Sequence, residues 1–146
     1  MLELTQIGAQ LIFIGIVLFL AGLIQGALIP KVKNSRMALS GHLTAVQCAM
    51  ALAILGVMWS LVELPALVAK FAAYGCAFGF VFIWLGITVA SVTGASKALP
   101  IAGAGYSANV TSELTVKIMV RFGSLLSLIA CTLLVFGLVP IFLQSL

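Results

Sequence analysis

The chain has 146 residues, 64% of them hydrophobic and only 7% charged, with a formal net charge of +4. A water-soluble domain is typically about 45–50% apolar and about 25% charged, and seven Lys and Arg with three Asp and Glu cannot cover an aqueous surface. The composition therefore excludes a soluble domain and calls for a lipid bilayer as solvent. The few positive charges, with no basic run interleaved with aromatics, exclude nucleic-acid binding.

The opening segment MLELTQIG carries an acid at Glu3 and no basic run. The apolar stretch behind it is too long for the core of a secretory leader, so it reads as the first spanning helix. A spanning helix needs about 20 apolar residues at about 1.5 Å each. Four segments meet that length: 7–29, ending at Pro30; 37–62; 65–93, with Pro65 suited to a first turn; and 111–144. In the last, Thr111 is a candidate cap, Glu113 suits the helix dipole, and Pro140 is expected to kink or end the final turns. The links are KVKNSR, a short VELP corner and the longer TGASKALPIAGAGYSANV. The expected fold is all-α, a single domain forming a four-helix up-down bundle in the membrane. Lys31, Lys33, Arg36, Lys97, Lys117 and Arg121 gather at one end and only Lys70 at the other. The positive-inside rule then places links 30–36 and 94–110 in the cytoplasm and both termini outside, as in a bacterial-type inner membrane.

Small residues mark where helices approach closely in lipid. Gly22 and Gly26 form one GxxxG pair, Gly75 and Gly79 another, and Ala45, Ala49 and Ala53 make a small stripe on the second helix. These serve packing within the chain, packing between protomers, or a flat ligand. Cys48, Cys76 and Cys131 all lie in apolar stretches without a CxxC pair, and read as buried, inert thiols.

His42 is the only histidine, one to two turns inside the second helix, and shares a face with Ala45, Ala49 and Ala53. An imidazole above a strip of small side chains suits a flat macrocycle such as haem, whose iron takes a single proximal His. It also suits an interfacial His bonded to a carbonyl or water. Gln47 and Cys48 lie deeper and off that face, as pocket wall or as interhelical hydrogen-bonding groups. Glu113, Lys117 and Arg121 recur every four residues as one charged stripe. Arg121 either snorkels to the interface or meets an anion such as a cofactor carboxylate. The third link carries Tyr106 and is expected to fold over one mouth of the bundle. No HExxH, Ser-His-Asp set, carboxylate pair or phosphate loop occurs. No acid falls midway along a helix, which argues against a proton-coupled exporter.

At NSRMALSGHLTAVQCAMALAILGVMW (34–59) and again at ASKALPIAGAGY (95–106), the chain resembles the hydroxylaminobenzene mutase-like membrane proteins, relatives of the styrene oxide isomerases. The order and length of the helices fit along nearly the whole chain. The resemblance implies rearrangement of a small aromatic substrate, arylhydroxylamine to aminophenol or aryl epoxide to aldehyde. It also implies haem b between the protomers of a homo-trimer, with His42 as axial ligand and ferric iron as a Lewis acid on the substrate oxygen. Ala45 and Ala49 would flank the cofactor, Lys117 and Arg121 would meet its carboxylates or the charge of the substrate, and Gln47, Cys48 and Tyr106 would wall the pocket. The chain departs from the family pattern at Cys48, where an Asn is expected, and at Thr44 and Ala45, which follow Leu43 where Leu-Glu-Gly is common. The alternative is a non-catalytic small membrane subunit packed against a larger complex.

Overall fold

The computed structural model describes residues 4–144, so Glu3 lies outside the described part. Four helices are long and apolar enough to cross a membrane: α1 (Gln6–Leu28), α2 (Ser35–Val57), α3 (Ala66–Thr93) and, after the single-turn α4 (Pro100–Gly103), α5 (Val110–Gln144). No strand occurs among the described residues. The chain is an all-α, multi-pass membrane protein.

Capping chemistry sets the helix ends. The Thr5 hydroxyl accepts from the Gly8 amide at 3.0 Å and starts α1. Asn34 starts α2, its side chain accepting from the Met37 amide at 3.0 Å, so the helix begins two residues before the expected 37. Its α-helical part stops at Val57, and residues 59–61 form a 3-10 turn. Pro65 precedes α3 as its cap. Gly94 ends α3 with φ 83°, left-handed backbone that favours glycine. Asn109, rather than Thr111, caps α5 by accepting from the Ser112 amide at 2.8 Å. Pro140 does not end α5, which runs on to Gln144.

Helix α1 packs along α2, and α3 along α5; the two pairs meet mainly through α2 and α3. Both glycine pairs are used inside the chain. A methyl at Gly75 would stand 3.0 Å from the Ala130 Cβ. At Gly79 and Gly123 the two backbones touch, each glycine's missing Cβ facing the other's carbonyl at 2.9 and 2.7 Å. Ala45 and Ala49 are buried against α1, at Gly22 and Gly15. Large apolar side chains such as Phe13, Leu67, Phe78 and Phe136 point outward, as expected where the solvent is hydrocarbon. Cys76 and Cys131 bring their sulfurs to 3.7 Å between α3 and α5, and Cys48 packs on the same core cluster; all three are free thiols.

Candidate functional site

His42 sits at the seam of α1 and α2, half-buried. Its Nδ1 lies 2.7 Å from the Gly22 carbonyl oxygen. A carbonyl can only accept, so Nδ1 carries a proton, and in the neutral ring Nε2 is then the nitrogen with the free lone pair. The ring lies flat against α1 because residue 26 is glycine: a Cβ there would stand 2.8 Å from Nδ1 and 3.0 Å from Cε1. The GxxxG pair of α1 is thus the cradle of the imidazole, with Gly22 supplying the acceptor and Gly26 the space.

About two turns toward the first link, the polar residues form a backbone clamp. Asn34 is fully buried. Its amide N–H donates to the Ser91 carbonyl at 2.9 Å, and its Nδ2 donates to the Ala102 carbonyl at 3.0 Å. Lys33 Nζ donates to the Thr93 and Ser107 carbonyls at 2.9 and 3.1 Å, and Arg36 donates to the Ala104 carbonyl. From α5, the Glu113 carboxylate accepts from the Ser96 and Lys97 amides, each at 3.0 Å. The third link is therefore a pinned platform carrying α4 rather than an open loop. Glu113 also leaves the expected charged stripe: it is buried and turned onto the link, while Lys117 and Arg121 stay exposed.

The remaining expected site residues are dispersed. Ala45 and Ala49 lie under α1, so that strip is not open to a ligand. Gln47 is exposed on α2, Cys48 is half-buried toward the core, and Tyr106 is half-buried on the platform. Lys117 and Arg121 line a cleft of about 290 Å³ with Lys97, Ala98, Val110, Glu113 and Leu114. The single chain does not bring that cleft to His42, which faces α1.

The profile of the styrene oxide isomerase family matches residues 7–139. The chain belongs to the styrene oxide isomerase family. It is 36% identical over 136 residues to hydroxylaminobenzene mutase HabB of Ectopseudomonas oleovorans, covering 92% of this chain and 82% of that protein. It is also 36% identical over 100 residues to hydroxylaminobenzene mutase HabA of the same organism, covering 68% of this chain and 74% of that protein. No solved structure matches the chain.

Within this styrene oxide isomerase match lie both segments that carried the resemblance, and the fold explains their pairing. Residue 34 opens the first segment and bonds Ala102 in the second. A further polar pair was not legible in the sequence. Gln25, 8% exposed on α1, accepts at Oε1 from Trp84 Nε1 of α3 at 2.7 Å. Its Nε2, set against Gly41 of α2, has no hydrogen-bond partner among the described residues. The one available signal was an amide inside an apolar span; its partner lies 59 residues away.

Proposed function

We propose that this chain is a membrane-bound isomerase or mutase that rearranges a small aromatic substrate, an arylhydroxylamine or an aryl epoxide. We further propose that it holds haem b through His42 in a homo-trimer. The family match and the two mutase relatives support the isomerase or mutase role. The observation that carries the cofactor reading is the His42–Gly22 bond of 2.7 Å. Metal-binding histidines are commonly oriented by donating the other ring N–H to a backbone carbonyl, which fixes the tautomer and raises the basicity of the free nitrogen.

The donor set fits a porphyrin better than a bare ion. Among the described residues no group of three or more His, Cys, Asp or Glu is placed to hold a metal, whereas a porphyrin brings its own four nitrogens and asks the protein for one His. With Ala45 and Ala49 covered by α1, the cofactor would meet the free edge of the imidazole rather than the alanine strip. Exposed Leu23, Leu39 and Leu43 belong to the same turns of α1 and α2 and supply apolar surface for a flat ring. When bound, ferric haem supplies a Lewis acid for the substrate oxygen. The chain holds the proton on Nδ1, keeps Nε2 free, and encloses the reaction in hydrocarbon. An intramolecular rearrangement needs no external electron donor.

The test is incubation of the purified protein with an aryl epoxide and, separately, an arylhydroxylamine, with no reductant. The proposal expects an aldehyde or an aminophenol from one of them. No product from either would leave the non-catalytic subunit as the better reading.

A further inference from the structure

Helix α5 is 35 residues long, about 52 Å by its rise, against a hydrocarbon core of about 30 Å. Its residues 122–144 carry no Asp, Glu, Lys, Arg or His and alone extend about 35 Å. Arg121 is therefore the last charged residue before hydrocarbon begins, and Lys117 stands one turn further out. Both sit at the level of lipid phosphates rather than deep in the bilayer.

Lys97 joins Lys117 and Arg121 in lining the cleft of about 290 Å³. Glu113, the only acid between residues 64 and 146, lines the same cleft. Its oxygens already accept from the Ser96 and Lys97 amides. Of the basic residues of the first link at this end, Lys33 and Arg36 donate to backbone carbonyls, and Lys31 does not line the cleft. The cleft thus keeps a surplus of positive charge. Leu114, Ile118, Phe122 and Leu125 run down α5 beside it, all exposed, as a track for acyl chains.

We infer that the Lys97–Lys117–Arg121 cleft binds the headgroup phosphate of an anionic phospholipid, with its acyl chains lying along α5. Cationic clefts at the ends of spanning helices recognise acidic headgroups in this way, each Lys or Arg contributing independently. The inference does not depend on the catalytic reading, because its readout is binding alone.

The experiment measures binding to the purified full chain in neutral detergent, by native mass spectrometry and thermal shift. The probes are short-chain phosphatidylglycerol, short-chain phosphatidylcholine and inorganic phosphate. Phosphatidylglycerol should bind and raise the unfolding temperature, whereas phosphatidylcholine and phosphate should not. The double variant Lys117→Gln/Arg121→Gln should weaken phosphatidylglycerol binding about 30-fold, the effect expected from two cations at an anionic headgroup. Lys117→Arg and Lys70→Gln, the latter at the other end of the bundle, should leave it intact. Equal binding of phosphatidylcholine, or a double variant that binds phosphatidylglycerol normally, would overturn the site. Phosphate reproducing the full shift would reassign it to a soluble anion. A double variant that keeps headgroup binding but loses haem absorbance would assign the two cations to a cofactor carboxylate instead.

Discussion

The imidazole of His42 is tied to the backbone of a neighbouring helix: Nδ1 lies 2.7 Å from the Gly22 carbonyl oxygen. A side chain on α2 is thereby oriented by α1, and the glycine one turn further along, Gly26, makes room for the ring. The ring nitrogen left free is the chemically useful one.

Gly26→Ala tests that cradle. The added methyl would stand 2.8 Å from Nδ1, forcing the ring off the Gly22 carbonyl. Overpacking of this kind costs about 1–3 kcal/mol. The variant should express and insert but lose roughly tenfold in isomerisation rate and in haem retained per chain, read from absorbance at equal protein. Ala27→Gly, at an exposed position of the same turn, should leave both unchanged.

Asn34→Ala removes a helix cap and leaves the half-buried Ala102 carbonyl without its donor. A cap is worth about 1 kcal/mol and an orphaned buried acceptor about 1–3 kcal/mol. The expected loss of stability is about 2–4 kcal/mol, seen as a lower midpoint for thermal unfolding in detergent.

These two cases divide what the sequence reveals from what it conceals. The four spans are legible because hydrocarbon imposes a length and a composition on each helix separately, and the basic residues at one end follow equally locally. His42 stands out as the single imidazole in an apolar span. The Asn34 clamp, the turning of Glu113 onto the third link and the Gln25–Trp84 bond join positions 16 to 68 residues apart. No local period reports such pairs. The alanine strip beside His42 misleads for the same reason: spacing shows that a face is small, but not that α1 fills it.

Glu113→Ala should loosen the platform. The Ser96 and Lys97 amides lose their acceptor, which costs about 1–3 kcal/mol where the groups remain buried. Lys97 is exposed, so limited trypsin digestion should cleave after it several-fold faster than in the unaltered chain. Equal cleavage rates would show that the carboxylate does not hold the link.

Gln25 and Trp84 form a pair suited to a double-mutant cycle. Trp84→Phe leaves the buried Gln25 Oε1 without its 2.7 Å donor and should cost about 1–3 kcal/mol. Gln25→Leu removes both the acceptor and the unpartnered Nε2. The double variant Gln25→Leu/Trp84→Phe should therefore be more stable than Trp84→Phe alone, as measured by thermal unfolding. Additive losses would mean that the two side chains are not coupled.

The most direct measurement is the visible absorption spectrum of the purified protein beside that of His42→Ala, each at known concentration. A Soret band in the unaltered chain, absent from the well-folded variant and restored by added imidazole, is the predicted result. A colourless unaltered protein at full yield, or a variant that keeps the band, would contradict the assignment of His42 as the iron ligand.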